Sequence, residues 1–286
     1  MLGPQELRTL RGYLVLAMAA AIDDALQEQN SYHQQLVQHL QADGLLASTS
    51  FISTNYDTMI DNALSRLGEG SRSAPPSWAI DYGVDFENLR QRDVWRLPVA
   101  SCVPLLKIHG SLNWLYCPCC NTLTLTQYKK RVRRVMNETR STRCGACRTM
   151  MQPVIVPPTF YKDLSKAFLQ AVWNRAEQVL REAQLVVFCG YSFPAADMHV
   201  KYLLKRAQLN RRSPVTYIVA NNHASKAPEE KAAERSRYER FFGREVLYSE
   251  LSFQEFAAQP ATAFALASRP DVDSNHQPSL KESPLC

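Results

Sequence analysis

Leu105-Leu106-Lys107-Ile108-His109-Gly110-Ser111 is the stretch that decides the fold, because two cysteine pairs follow it closely. The first pair is Cys117-x-x-Cys120, and the second, Cys144-x-x-Cys147, begins after 23 intervening residues. An apolar run that ends in a titratable imidazole is therefore joined directly to four metal-binding side chains. The combination predicts a functional site built beside a zinc module.

The cysteine spacing predicts a tetrahedral zinc site. Each Cys-x-x-Cys pair presents two thiolates from a tight turn, and the intervening loop brings the pairs together. We predict that Zn²⁺ is bound by Cys117, Cys120, Cys144 and Cys147. Cys119 fits less well, since it would give a Cys-x-Cys spacing. Four thiolates leave no open coordination position, so the zinc is expected to be structural. The alternative is two disulfides, which require an oxidising compartment.

The first thirty residues bear on localisation. Arg8 and Arg11 precede an apolar run over 13–22, which superficially resembles a signal peptide. Apolar residues at helical spacing instead favour an amphipathic core helix over 5–29, and these are Leu7, Leu10, Leu14, Met18 and Ile22. The run is also too short to cross a bilayer. We predict a cytoplasmic protein without a membrane partner, with a signal peptide as the alternative.

Composition predicts one large domain with a small insertion. The chain has 286 residues, of which 45% are hydrophobic and 21% charged, enough to bury a full core. We assign residues 1–116 and 150–267 to a Rossmann-like domain and 117–149 to the zinc module. Residues 268–286 are polar, contain proline and lack periodicity, which predicts a disordered tail.

The net charge of +6 is concentrated in residues 129–134, inside the zinc loop. We interpret this run as a solvated loop, because no aromatic residues interleave with the charges to stack on bases. The alternative is contact with phosphates of nucleic acid or of a cofactor.

Alternating strands and helices predict an α/β fold with a Rossmann-like parallel sheet and helices on both faces. Apolar or β-branched runs predict strands at 51–54, 105–108, 185–189 and 216–220. Helical patterns occupy 56–67, 161–183 and 195–209, and a further one at 253–266 must break or kink at Pro260. Ligands of such folds bind outside the carboxyl ends of the strands.

Polar and small residues follow each of the four strands. They are Asn55 and Asp57, His109 and Gly110, Gly190 and Ser192, and Asn221 and Asn222. Each has a structural alternative: a helix N-cap for Asn55 or Asp57, a turn for Gly190, a loop residue for Asn221, and a satisfied polar residue for His109. Their shared position at one rim of the sheet favours a cofactor crevice.

These motifs together resemble the sirtuin family of NAD-consuming enzymes over about residues 45–225. The resemblance is carried by Thr54-Asn55-Tyr56-Asp57, Ile108-His109-Gly110-Ser111, the two cysteine pairs, Gly190-Tyr191-Ser192 and Ala220-Asn221. It implies that NAD⁺ is the substrate, that His109 is a general base and that Asn55 orients the ribose or a water. It also implies cofactor contacts by Asn55, Asp57, Gly190, Ser192 and Asn221.

Two departures refine the resemblance. The stretch after the zinc module, Pro153-Val154-Ile155-Val156-Pro157-Pro158, lacks backbone donors that an acyl-lysine peptide added as a strand would need. It resembles the divergent bacterial sirtuin-like branch, which includes NAD hydrolases of antiphage defence. In addition, no Gly-Ala-Gly-x-Ser loop precedes Asn55, so we expect the first strand of the fold to be absent.

The expected function is therefore hydrolysis of the nicotinamide–ribose bond of NAD. The first alternative is an NAD-dependent protein deacylase. The second is a catalytically impaired binding module with a structural zinc, which contacts a protein partner, a second copy or nucleic acid.

Overall fold

The structure is a computed structural model, and it describes residues 32–68, 79–87, 102–126, 143–157, 166–221, 226–243, 246–249 and 251–267, with scattered positions between 3 and 22. Its helices are α1 (Tyr32–Ala42), α2 (Met59–Gly68), α3 (Ala167–Glu182), α4 (Met198–Leu209), α5 (Pro228–Phe242), α6 (Phe253–Ala258) and α7 (Pro260–Ala267). Its strands are β1 (Phe51–Ser53), β2 (Ala79–Asp81), β3 (Cys102–Lys107), β4 (Gly110–Tyr116), β5 (Leu123–Leu125), β6 (Gln152–Ile155), β7 (Leu185–Cys189), β8 (Thr216–Ala220) and β9 (Leu247–Ser249). A short 3-10 helix lies at Leu46–Ser48.

Two three-stranded parallel sheets form the larger part of the fold. In the first, β3 lies between β1 and β2, with Phe51 opposite Leu105. In the second, β8 lies between β7 and β9, with Val187 opposite Ile218. Side chains of both sheets belong to one hydrophobic core. The near-continuous burial of β3 and β8 is typical of parallel strands covered on both faces.

The third sheet is antiparallel and carries the cysteine pairs at one end. Its order is β5-β4-β6, so β6 is an edge strand among the described residues. Gly110 lies opposite Ile155 at one end of the β4–β6 pair, and Tyr116 lies opposite Gln152 at the other. The register shifts between these two points, as at a β-bulge. The β4–β6 pair therefore joins the metal-binding end to the segment beside His109.

Most predicted elements are confirmed. The α/β class with parallel strands is correct, β7 and β8 have the predicted bounds, and the break at Pro260 separates α6 from α7. The predicted helix over 161–183 is described only from Ala167, where α3 begins. The basic run 129–134 and the tail 268–286 lie outside the described residues.

The N-terminal segment is helical at the described positions, as predicted, but the interpretation of its apolar residues as a core face is wrong for two of them. Leu10 is 47% exposed and Leu14 is 58% exposed. Ile22, near the end of the described positions of this segment, packs against Leu112. Within the described part of the chain, no helix combines the length and apolar character that crossing a bilayer requires.

Candidate active site

His109 lies in the turn between β3 and β4 and is almost fully buried. Its Nδ1 atom is 3.2 Å from the carbonyl oxygen of Thr54. Because a carbonyl only accepts, this contact places the proton of the neutral ring on Nδ1 and leaves Nε2 as the basic nitrogen. The backbone around the ring is also fixed: Trp173 donates to the Ile108 carbonyl at 2.7 Å, and Val156 donates to the His109 carbonyl at 2.9 Å.

The loop after β1 presents one side chain to solvent. Asn55 is exposed, and its backbone N–H donates to Ser53 Oγ at 3.1 Å, whereas its side chain makes no hydrogen bond to the described residues. The next two side chains are occupied: the Tyr56 hydroxyl donates to the Val156 carbonyl, and Asp57 Oδ1 accepts from the Met59 amide at 2.9 Å. Asp57 thus supports the start of α2, which is the structural role weighed for it from the sequence. Asn55 remains available for a ligand.

The loop after β7 is fixed by Asn221. The Asn221 side chain accepts from the Tyr191 amide at 3.1 Å and donates to the Tyr191 carbonyl at 2.7 Å. Its amide nitrogen also lies 2.5 Å from Glu234 Oε1, a buried carboxylate on α5 that pairs with Lys226. The Tyr238 hydroxyl donates to the same Tyr191 carbonyl. These contacts hold the loop from the side of β8 and α5.

The residues around Tyr191 complete this loop. Gly190 has φ +65°, a left-handed conformation that glycine adopts without strain, and its amide donates to Ala220. Ser192 is exposed. Phe193 is buried with φ +55°, and its ring lies 4.6 Å from that of Tyr238. A bulky residue in this conformation is uncommon, and aromatic packing holds it there.

Asp197 lies at the N-cap of α4 and accepts from the Tyr191 hydroxyl at 3.1 Å. Burial, and after it the negative charge of Asp197, raise the pKa of Tyr56 to about 12. The strand ends that carry Asn55 and His109 are neighbours, since the Thr54 carbonyl contacts the His109 ring.

The four predicted zinc ligands lie together. Their sulfur atoms are all within 4.8 Å of one another, and three pairs are separated by 3.3, 3.4 and 3.9 Å. Thiolates about 2.3 Å from a tetrahedral zinc ion lie about 3.8 Å apart, so the cluster fits this metal. The members are Cys117, Cys120, Cys144 and Cys147, whereas the exposed Cys119 is not among them.

Both cysteine turns share one hydrogen-bond pattern. The amide of the first cysteine donates five residues ahead, from Cys117 to the Thr122 carbonyl and from Cys144 to the Thr149 carbonyl. The residue after each second cysteine has a left-handed φ near +60°. Hydrogen bonds from Thr149 lower the pKa of Cys147 to about 6, so this thiolate forms at neutral pH. The sequence repeat is thus a structural repeat, as expected of a zinc knuckle.

A family model for the SIR2-like domain matches residues 49–241, which is about two-thirds of the chain. The chain belongs to the SIR2-like family. No curated protein matches the sequence.

The chain is also similar to solved structures of Sir2 proteins, at low identity. A complex of a Sir2 homologue with NAD is 16% identical, with a TM-score of 0.49, and the match covers 93% of this chain and 76% of that one. A complex of Sir2 with the inhibitor EX-527, 2'-O-acetyl-ADP-ribose and a deacetylated p53 peptide is 17% identical, with a TM-score of 0.42. That match covers 84% of this chain and 74% of the other.

The SIR2-like site also contains a buried polar network that the sequence analysis missed. Lys107 Nζ lies 3.1 Å from Asp61 Oδ2, and both side chains are almost completely buried. Asp61 Oδ1 accepts from the Tyr82 hydroxyl at 2.8 Å and from Asn113 at 3.5 Å. Ser111 donates to Asn113 Oδ1 at 2.6 Å. A sequence signal was present, because polar residues occur at every second position from Lys107 through His109 and Ser111 to Asn113.

Proposed function

We propose that this SIR2-like protein is an NAD glycohydrolase, which cleaves the nicotinamide–ribose bond of NAD⁺ and transfers the ADP-ribosyl group to water. The observation that carries the proposal is the contact between His109 Nδ1 and the Thr54 carbonyl, which brings exposed Asn55, the next residue, close to the His109 ring and leaves Nε2 as its basic nitrogen. The glycosidic bond breaks with its electrons on nicotinamide, and a water oxygen bonds to the anomeric carbon. The proton that this water releases is taken up by His109.

The proposal also assigns NAD contacts to the other site residues that were predicted from the sequence. Asn55 orients the attacking water or the nicotinamide ribose, and Asp57 accepts from the carboxamide through Oδ2. Gly190 and Ser192 approach the phosphates and ribose with little side-chain bulk. Asn221, which follows β8, holds the adenosine ribose through Oδ1, because both hydrogens of its side-chain amide are bound by Tyr191 and Glu234.

The edge of β6 supports water rather than a peptide as the acceptor. The amide of Val156 points toward β4, because it donates to the His109 carbonyl. Backbone groups alternate sides along a strand, so the outward-facing positions of β6 are Pro153 and Ile155. Proline has no amide hydrogen, so Pro153 offers no donor, and neither does Pro157, the second residue after β6. A peptide that added to this edge as a strand would find one donor where it needs several.

The four-cysteine cluster is proposed to be structural. A bound zinc ion would complete its coordination with the four thiolates, which leaves no position for substrate. Leu115 and Met151 are buried against the cluster. We assign residues 117–149 to this module and propose that it stabilises the β4–β6 pair. We also propose a part in antiphage defence, and this proposal is supported only by the resemblance to the divergent bacterial sirtuin-like branch.

The test is incubation of the purified protein with NAD⁺ and no acylated peptide. We expect release of nicotinamide and ADP-ribose in equal amounts, measured by chromatography. His109→Ala should abolish release, whereas His39→Ala, at an exposed histidine on α1, should leave it unchanged. Release that requires an acyl-lysine peptide would instead identify a deacylase. Absence of release, together with salt-dependent binding to nucleic acid, would identify the binding module.

A further inference from the structure

The loop after β1 is held to the His109 segment by its backbone carbonyls. The Thr54 carbonyl contacts His109 Nδ1 at 3.2 Å, and the Tyr56 carbonyl accepts from the Leu112 amide at 2.9 Å. The Asp57 carbonyl accepts from Lys107 Nζ. Asn55 therefore lies between two carbonyls, at positions 54 and 57, that are both bound by side chains from the end of β3 or the turn that follows it.

We propose that Lys107 is a positioning residue that sets Asn55 relative to His109. The inference deepens the proposed function, since it concerns the placement of the group that orients the attacking water. Lys107 is the last residue of β3, and His109 follows two residues later. The ammonium of Lys107 and the ring of His109 therefore fix the loop from one rigid element. A rigid strand end places side chains more accurately than a free loop does.

A lysine as deeply buried as Lys107 is rarely found where only packing is required. Lys107 is 2% exposed, and its charge is compensated by Asp61, which is fully buried. Buried ion pairs contribute little net stability compared with apolar side chains of the same size. An ammonium group has three donors, so one bond to Asp61 still leaves donors for the Asp57 carbonyl. A methionine would fill the same space but could not hold the loop.

The test uses a double variant that removes both charges of the ion pair. Lys107→Met/Asp61→Asn takes the ammonium away from the Asp57 carbonyl and leaves no unpaired charge in the core. Asp61→Asn alone would leave the Lys107 charge buried without a counter-ion and destabilise the core, so the wild type is the reference. Lys205→Met is the matched control, because Lys205 is a half-buried lysine that donates to Gln208 and to the Phe241 carbonyl outside the proposed active site.

The first measurement is independent of activity. We expect amide hydrogen exchange over residues 54–58 to be roughly tenfold faster in the double variant than in the wild type, because a hydrogen bond from a charged donor is lost. Exchange in α4 should not change. Equal exchange over 54–58 in the double variant and the wild type would overturn the proposal, whether or not the protein cleaves NAD.

The second measurement is the ratio of nicotinamide exchange to hydrolysis. Labelled nicotinamide re-forms NAD from the cleaved state, whereas hydrolysis also needs a correctly placed water. In the double variant we expect hydrolysis to fall by about 10- to 100-fold, with KM nearly unchanged and the exchange ratio increased. A purely structural defect would lower exchange and hydrolysis together and would leave the ratio constant.

The outcomes are distinguishable. Wild-type protein that never releases nicotinamide would refute the proposed function, while the exchange of residues 54–58 would still decide the role of Lys107. Wild-type activity with an unchanged exchange ratio in the double variant would refute the positioning role and leave the proposed function intact.

Discussion

Gly110→Ala should damage the protein far more than a single methyl group suggests. Gly110 has φ +86°, and a Cβ atom there would lie 2.1 Å from the carbonyl oxygen of Val154 on β6. Non-bonded heavy atoms prefer separations of about 3.5 Å or more, so β6 must move by over ~1 Å to accept the substitution. That movement would also break the hydrogen bond between Val156 and the carbonyl of His109.

The expected cost is the combination of three effects. A non-glycine residue in the left-handed region costs about 1–2 kcal/mol. Overpacking against a rigid neighbour costs about 1–3 kcal/mol, and the lost hydrogen bond about 1 kcal/mol. Together they predict a decrease of about 3–6 kcal/mol in the free energy of unfolding.

Gly44→Ala is the matched control. Gly44 has a similar φ of +71°, but a Cβ atom there would meet no atom within 4 Å. Its substitution should cost only the backbone part, about 1–2 kcal/mol. Urea unfolding, followed by fluorescence of buried Trp114, measures both variants. Equal free energies of unfolding for Gly110→Ala and Gly44→Ala would refute the close approach of β6 to Gly110.

Three further predictions concern metal binding, the pH dependence of stability and the loop after β7. Because zinc binds thiolates and competes with protons for them, zinc should be retained at neutral pH and released at acid pH, measured with a coloured chelator. Cys147→Ser should lose zinc to the chelator at neutral pH, whereas Cys119→Ser should keep it. Burial lowers the pKa of His33, so its contribution to stability is complete above about pH 6.5 and is lost as the pH falls through the lowered value. His33→Gln should therefore lose less thermal stability than the wild type between about pH 7 and about pH 5; an identical loss would contradict this reasoning. Asn221→Leu, which leaves both backbone groups of Tyr191 without their side-chain partner, should lower stability by about 2–4 kcal/mol and raise KM for NAD. An unchanged KM would argue against a role of this loop in NAD binding.

Local sequence patterns were sufficient to predict much of the site. The apolar runs that form β7 and β8 are continuous, and the geometry of the two Cys-x-x-Cys turns is set by hydrogen bonds between nearby residues. The placement of polar residues after these strands follows from the fold class, since parallel strands end at one edge. Asn55 and His109 could therefore be placed on neighbouring strand ends before the contact between His109 and the Thr54 carbonyl was known.

Contacts between distant residues could not be predicted in the same way. Asp61 and Lys107 are 46 residues apart, and nothing near Asp61 in the sequence indicates a buried partner. Helix α5 was missed because charged residues surround its buried face, which consists of Glu234, Tyr238 and Phe242. The pairing of Gly110 with Ile155 also depends on the whole insertion between β4 and β6. Each of these features is decided by tertiary packing.

The prolines at the outer edge of β6 also affect how copies of the protein behave toward one another. An unpaired sheet edge offers its amide and carbonyl groups to any extended chain, which makes it a starting point for aggregation. With Pro153 at one of its two outward positions and Pro157 just beyond its end, this edge has few donors with which to recruit a strand from a second molecule. Among the described residues, the β6 edge of the sheet that carries the four cysteines is thereby protected against pairing between copies of the protein.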